Sequence, residues 1–426
     1  MHRLAIAAIV AGLVAAVLPG SAQAQGCSVP GQNLTVRDIM ERHYLWYRSI
    51  PGVDPTRFSS PAAYLEAIRY RSLDRGFSYI ASREATDAYY SASQFVGLGL
   101  STRVEASALR VLQVFEGSPA ADAGLRRGDS IREINGNSVA QVIAAGGLDE
   151  AWGETAVGVT VEVGFVTRAG EDKRVQMSKR LVTIPTVSLT RVINVDGRAI
   201  GYFELRNFVE PSFAAVDDAV SVFRQAGVSE VVLDLRYNGD GLVEVATHLA
   251  SLLAGAAARG QVFGEMKHND KNRVEDETIR FRDVTSPLEL ARVIVITTHA
   301  SASASELVIN GLRPYLPVIV IGEATYGKPV GQYGFDFCDK TLAAVAFSIV
   351  NARGEGDYFN GIAADCEAAD DIEHDLGDPS EASLAEALRY ARTGACSGAA
   401  AAGTLRSQDR PPAYRLQGWR AMVNAY

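Results

Sequence analysis

Three textures of hydrophobic and polar positions follow one another along the chain, and each predicts a different kind of element. In residues 27–90, Val36, Ile39, Met40, Tyr44 and Tyr47 recur at helical spacing behind Thr35, whose hydroxyl is placed to cap a first turn with Asp38 three residues on. Ser60-Pro61 opens a second helix through Tyr64, Leu65 and Ile68, because proline at a helix start gives up no needed N–H. Together these predict a small helical cap. Residues 93–180 instead carry short β-rich runs, at 95–100, 109–115, 130–134 and 160–166, separated by Gly, Pro and Asn turns. That pattern predicts a small, mostly-β module.

From Ala199 the texture becomes alternating strand and helix. Residues 200–205 read as strand; Phe213, Val216, Val220 and Phe223 line one face of a helix that Gly227 can end; residues 231–235 form a short, wholly apolar strand. A helix over 242–253, a strand over 293–297, a helix from about Ser303, a strand over 318–321 and strands near 343–350 complete the series. Apolar strands alternating with helices predict a layered α/β core. Beyond Cys396 the chain turns Ala/Gly-rich and then Arg410-Pro411-Pro412, which reads as a linker and tail.

The N-terminus adds a destination. His2 and Arg3 precede an uncharged apolar run over residues 4–18, then Pro19-Gly20 and Ala22-Gln23-Ala24. A basic start, a short apolar core and an A-x-A site predict a secretory signal peptide cleaved after Ala24. The run is short for a membrane anchor, the first alternative. The second is lipidation of Cys27, since Ala24-Gln25-Gly26-Cys27 is a degenerate lipoprotein box and would tie the chain to a membrane.

Composition narrows the partners. The 426 residues are 47% hydrophobic and 21% charged, ordinary for a globular chain of two or three domains. Lys and Arg number 41 against 50 Asp and Glu, with no long basic run to follow a phosphate backbone, so nucleic acid is excluded as the expected partner. Cys27, Cys338, Cys366 and Cys396 show no CxxC spacing and no zinc-like Cys/His cluster, so no metal is expected. In an oxidising compartment they read as disulfides. Cys338 and Cys366 flank one strand region, and Cys27 and Cys396 lie at the two ends of the ordered chain, so the expected pairs are Cys338–Cys366 and Cys27–Cys396.

Candidate chemistry gathers just past three strand ends. The stretches are Asp234-Leu235-Arg236-Tyr237-Asn238-Gly239-Asp240-Gly241, Ser301-Ala302-Ser303-Ala304-Ser305-Glu306 and Gly322-Glu323-Ala324-Thr325-Tyr326-Gly327-Lys328. Glycine-rich turns after strands let backbone N–H groups converge on a ligand, and a serine at a helix start sits at the positive end of the helix dipole. Taken alone, the Ser/Ala run also reads as a helix cap built of small residues. The third stretch fits the first seven positions of a phosphate-binding P-loop, but Pro329 stands where the metal-binding hydroxyl belongs and no helix follows, which argues against a nucleotide.

In this order the three stretches resemble the S41 family of serine peptidases, the C-terminal processing or tail-specific proteases. The likeness covers roughly residues 93–395 and implies a ClpP/crotonase-like layered α/β core. It assigns the nucleophile to Ser303, the general base to Lys328, the positioning of that lysine to Gln332, and the oxyanion hole to the N–H groups of Ala304 and Gly241. One position departs from the family pattern: Asp240 stands where the first glycine of a pair belongs, adding a carboxylate where negative charge must develop. A lysine serves as base only when it can be neutral, so Lys328 is expected to be desolvated and without an acidic partner. The rival is a Ser-His-Asp triad drawn from His43, His248, His268, His299 or His374, none of which matches a catalytic position of the family.

The β-rich module resembles a PDZ domain. Gly97-Leu98-Gly99-Leu100 looks like the loop whose N–H groups hold a peptide's terminal carboxylate, making Leu98, Gly99 and Leu100 the expected peptide contacts. Gly128-Asp129 and Asn135-Gly136 are better read as turns. The chain thus divides into a leader (1–24), a helical cap (25–90), a PDZ-like module (91–182), a protease core (183–396) and a tail (397–426). The resemblance implies an exported serine endopeptidase acting on extended or unfolded polypeptides, engaged by a free C-terminus, and a Ser/Lys mechanism needs no cofactor. The alternative is a peptide-binding scaffold that keeps this fold without activity, for which Asp240 speaks.

Overall fold

The computed structural model describes residues 26–398. The expected leader, and all but the first two residues of the expected tail, lie outside the described residues. The cap begins with a helix over Val29–His43 whose N-cap is Ser28, not Thr35. Pro30 is tolerated within the first helical turn, so the helix starts earlier than the apolar spacing suggested, and Thr35 sits mid-helix with its hydroxyl donating to Gly31 O at 3.1 Å. The second helix, Pro61–Ile68, starts as its sequence requires, with Ser60 Oγ accepting from Ala63 N at 3.1 Å.

The core is a six-stranded sheet in the order Val187–Val195, Arg198–Leu205, Glu230–Asp234, Arg292–Thr297, Val318–Gly322, Cys366–Glu367. Its first pair is antiparallel and every later pair is parallel. Each parallel strand is apolar on both faces because helices cover both. Val231 and Leu233 join Val216, Leu249 and Val308 of the helices Ser212–Gln225, Val243–Ala254 and Ala304–Leu312. Val232, Ile294 and Ile296 face the other way, against Leu384 and Ala387 of the helix Ala382–Thr393. A second sheet, built on the long strand Lys340–Val350, continues the layering: Phe347 and Ile349 pack on the core, while Leu342, Ala344 and Val345 pack on Val36, Met40 and Tyr44 of the cap.

The disulfides differ from the expected pairing. Cys27 is bonded to Cys338 and Cys366 to Cys396. Cys338 sits in the turn between the strands Val330–Phe337 and Lys340–Val350, on which the first cap helix packs, so the residue just before that helix is the one that reaches it. Cys366 opens the edge strand of the core sheet, beside the last helix, from which Cys396 emerges. Cys27 and Cys396, near the two limits of the described residues, are each bonded to a neighbouring sheet rather than to each other. Cys27 therefore has no thiol left for a lipid, and the same holds for a cluster of Cys366, Glu386 and Cys396 whose sulfurs would otherwise be metal donors. No helix among the described residues is long and apolar enough to cross a membrane.

The β module holds a sheet in the order Leu100–Glu105, Ala108–Val114, Ser130–Ile134, Thr160–Val166, Asp172–Ser178, with Leu100–Glu105 at one edge. Gly128, Asn135 and Gly136 all have positive φ and form turns, as their sequence suggested. Asp129 completes its turn by accepting from Arg126 N and Arg168 N, both at 2.9 Å. Arg127 reaches out of the module: its guanidinium donates to Tyr237 Oη at 2.7 Å, to Asp370 Oδ1 at 2.9 Å and to His374 O at 3.0 Å. Arg103 holds the other oxygen of Asp370 at 2.9 Å. Through Asp370 the β module is fastened to the glycine-rich turn of the core.

Burial alone would raise the Asp370 carboxyl, but Arg127, Arg236 and Arg103 outweigh it and hold the group below its ordinary 3.8. A depressed acid contributes stability that is complete above the ordinary value and is lost as pH falls through the lowered one. Asp370→Asn is expected to cost about 3–5 kcal/mol at neutral pH, since it strands buried arginines. Urea unfolding of both proteins should show that gap narrowing below about pH 4; a gap under 1 kcal/mol at pH 7 would remove Asp370 as the fastener.

Candidate active site

Adjacent parallel strands deliver the three motif stretches to one place, because loops at the carboxyl ends of neighbouring strands emerge side by side. Asp234 and Thr297 end the central strands Glu230–Asp234 and Arg292–Thr297, and Thr297 pairs with Gly322. The turn after Asp234 is held by a buried ion network. Arg236 donates to both Asp234 oxygens and pairs with Glu381 at 2.8 Å, while Tyr202 Oη donates to Asp234 at 2.9 Å.

That turn fixes the serine run. Asn238 O accepts from Ala302 N at 3.1 Å and from Ser305 Oγ at 2.8 Å, and Leu235 O accepts from Ser301 Oγ at 2.7 Å. Two of the three serine hydroxyls are therefore spent on backbone carbonyls inside the protein. Ser303 is the one left partly exposed, at φ 54° and ψ −112°, a strained backbone for a residue with a Cβ. It stands at the N-terminus of the helix Ala304–Leu312, so the Ala304 N–H has no acceptor within its own helix.

Glu306 joins this helix to the third stretch. Its Oε1 accepts from Thr325 Oγ1 at 2.5 Å and Gly327 N at 2.7 Å, and its Oε2 from Ser303 N at 3.0 Å and Lys328 N at 2.8 Å. Burial pushes this carboxyl up, against the pull of those donors. Three further amides of the stretch are also committed: Glu323 N to Thr297 O, Thr325 N to Ile362 O and Tyr326 N to Ser301 O. With five amides of the loop engaged inside the protein, and a strand following it where a P-loop needs a helix, the P-loop alternative is overturned.

Lys328 is buried, and its Nζ lies 5.9 Å from the centroid of the Phe77 ring. Gln332 donates to Phe77 O at 2.9 Å, so it meets the lysine's surroundings through that aromatic residue of the cap. The expectation that Lys328 has no acidic partner is overturned: Nζ lies 3.4 Å from Asp240 Oδ1. The same oxygen accepts from Ser303 Oγ at 3.3 Å and from Gly241 N at 2.8 Å. Tyr90 Oη, from the cap helix Arg83–Ala92, donates to Oδ2 at 3.2 Å. Gly241 cannot be replaced without a shift, since at φ 149° an added Cβ would fall 2.3 Å from Phe208 Cβ.

The histidines have other occupations. His248 meets Asp217, His268 lies between Asp276 and Tyr333, His374 meets Asp371, and His43 packs on Phe335. His299 is nearest in sequence, but its Nδ1 faces Thr325 O at 3.3 Å. The Ser303 hydroxyl donates to Asp240 at 3.3 Å, and no histidine among the described residues is its recorded partner. Glu306, Tyr90 and Phe77 are the site residues that sequence reasoning missed. Only Glu306 carried a signal, as the last residue of the serine run.

In the β module, Leu98 and Leu100 put their side chains into its core, at 3% and 5% exposure, so only their backbone can serve a peptide. Leu98 O accepts from Ala120 N, and Gly99 O from Phe115 N and Ser118 Oγ. Gly99 has φ 80°, and a Cβ there would lie 2.1 Å from Ser118 Cβ. The loop is held from behind by its carbonyls, beside the edge strand Leu100–Glu105.

Three family models match the chain: peptidase family S41 over residues 199–368, the peptidase S41 N-terminal domain over residues 31–79, and a PDZ domain over residues 96–178. The carboxy-terminal-processing protease of Bartonella bacilliformis is 27% identical over 278 residues, covering 62% of this chain and 60% of that protein. A CtpA-like serine protease of Staphylococcus aureus (strain COL) is 26% identical over 275 residues, covering 64% of this chain and 52% of its own length. The chain thus matches little more than half the length of these relatives. Among solved structures, a Bacteroides fragilis protein described as an S41 protease superposes with a TM-score of 0.67 at 26% identity, covering 84% of this chain and 96% of its own. The photosystem II D1 C-terminal processing protease shares the fold with a TM-score of 0.52 at 24% identity, over 80% and 93% of the two chains.

Glu306→Gln turns one acceptor oxygen into an NH2 facing two donors. It is expected to cost about 1–3 kcal/mol, seen as a lower urea midpoint; Glu306→Gln with wild-type stability would mean that the four bonds do not organise the site.

Proposed function

We propose that this chain, which belongs to peptidase family S41, is an exported serine endopeptidase that cleaves extended or unfolded polypeptides with a Ser303/Lys328 pair. The observation that carries the reading is convergence: the one serine hydroxyl of the run that does not donate to a backbone carbonyl, a buried lysine amine and the Gly241 N–H all meet at one point. With a peptide carbonyl oxygen at that point, Ser303 Oγ attacks the carbonyl carbon and its proton passes to the neutral Lys328 amine. The Ala304 and Gly241 N–H groups receive the oxyanion. Lys328 then gives the proton to the leaving amine, and the C–N bond breaks to leave an acyl-enzyme. Water, deprotonated by the same lysine, hydrolyses that ester. Phe77 and the cap exclude solvent from Nζ, which favours the neutral amine once no carboxylate is near.

Export is supported by the leader-like first 24 residues and by two disulfides, which persist in oxidising compartments. The β module would take a substrate's C-terminus as an added strand beside Leu100–Glu105, with its carboxylate on the N–H groups of Leu98, Gly99 and Leu100. The second reading, a peptide-binding member without activity, is favoured by one observation: Asp240 fills the place of the oxyanion.

A fluorophosphonate probe should label the wild type and not Ser303→Ala, and Lys328→Ala should slow labelling by about 10²-fold or more. Absence of labelling in both the wild type and Asp240→Gly would select the inactive scaffold; Lys328→Ala labelled at the wild-type rate would remove the lysine as base. A peptide with a free C-terminus should bind the protein about tenfold more tightly than its amide; equal affinities would refute carboxylate capture.

A further inference from the structure

We propose that Asp240 is a built-in plug of the oxyanion hole, holding the Ser303/Lys328 pair in a closed resting state until a substrate carbonyl displaces it. The inference rests on the Ser/Lys reading above. Asp240 Oδ1 takes Gly241 N–H at 2.8 Å, Ser303 Oγ at 3.3 Å and Lys328 Nζ at 3.4 Å. A point within reach of nucleophile, base and oxyanion donor together is where the reacting carbonyl oxygen has to sit. The carboxylate therefore occupies substrate space as a mimic of the charge that develops there.

Its presence disables each part of the site separately. The Ser303 hydroxyl donates to Asp240, so its proton points at the carboxylate. The Lys328 amine is engaged by the carboxylate at 3.4 Å. The Gly241 donor is already satisfied, and a second negative charge beside it would be repelled. The plug is held from two sides: Oδ1 by the site itself and Oδ2 by Tyr90 of the cap. Asp240 also lies between Gly239 and Gly241, whose wide backbone freedom gives the side chain a way out without moving the strand ends.

The test is the rate at which full-length protein is labelled by a fluorophosphonate. In that reaction Ser303 Oγ bonds to phosphorus, fluoride leaves, and the hydroxyl proton goes to Lys328. Asp240→Gly should be labelled about tenfold faster or more, in line with the effect of one oxyanion donor, with Asp240→Asn between it and the wild type and Asp240→Gly/Ser303→Ala unlabelled. Asp240→Gly that folds but labels at or below the wild-type rate overturns the plug, and a lower rate would make Asp240 part of the machinery. Should Asp240→Gly not fold, an Asp240→Asn rate no higher than wild type overturns it equally. If neither wild type nor Asp240→Gly is labelled at Ser303, the Ser/Lys reading itself fails. If the wild type labels and Asp240→Gly is no faster, only the plug does.

Discussion

The carboxylate of Glu306 is the interaction on which the site depends. It is fully buried, and an ion in that position costs several kcal/mol unless its lone pairs are all engaged. Four donors engage them: two backbone amides and a hydroxyl of the loop after Gly322, and the amide of Ser303 itself. The bonds are short because the two loops leave adjacent parallel strands in register, Thr297 beside Gly322. One side chain at the third position of a helix thus sets both the strained backbone of Ser303 and the place where Lys328 enters the site. An apolar residue there would leave four donors without acceptors and the two loops free to part.

A second set of buried charges fixes the third wall. Asp234, Arg236 and Glu381 lock the turn that carries Asn238, Asp240 and Gly241, and Asn238 O in turn holds Ala302 and Ser305. Tyr237, at φ 61° in the middle of this turn, points its hydroxyl at Asp370 and Arg127. The β module therefore grips the same eight-residue stretch that supplies an oxyanion donor. Displacement of Arg127 would disturb Tyr237 directly, two residues from Gly239. The cap reaches the site through Tyr90 and Phe77, and the β module reaches the turn that carries Asp240 through Arg127.

Much of this was legible in the chain. The apolar strands at 231–235, 293–297 and 318–321, and the helices between them, announce themselves because burial on both faces leaves no polar positions to confuse the period. The motif stretches fell at strand ends, and the three serines were visible as a group. Other features depend on contacts that no local pattern encodes. The strand Val262–His268 and its partner Glu277–Arg280 alternate Lys267, Glu265 and Glu277 with apolar residues on a half-exposed sheet, which weakens their signal. The helix Ala382–Thr393 is capped by the side chain of Glu381, an atypical residue for that position. Cysteine connectivity is a property of which sheet edge each end reaches, so closeness of the chain ends was the wrong guide. For Asp240 the residue type marked a departure, but only the tertiary packing of Tyr90, Gly241 and Lys328 shows that its side chain turns inward.

That inward turn resolves a conflict between stability and chemistry. A lysine has to be desolvated to serve as a base, yet a buried ammonium without a partner is among the most costly states a folded chain can hold. At an effective dielectric near 20, a carboxylate about 4 Å away returns roughly 4 kcal/mol, enough to make the closed site a comfortable resting state. On the proposed plug, a carbonyl that displaces Asp240 would remove this compensation at the moment the lysine is needed. Lys328 then loses that carboxylate while its amine stays buried near Phe77, and both favour the neutral form. In that proposal substrate entry and activation of the base become one event, and the cost of exposing the reactive form is met only when a chain is present to be cut.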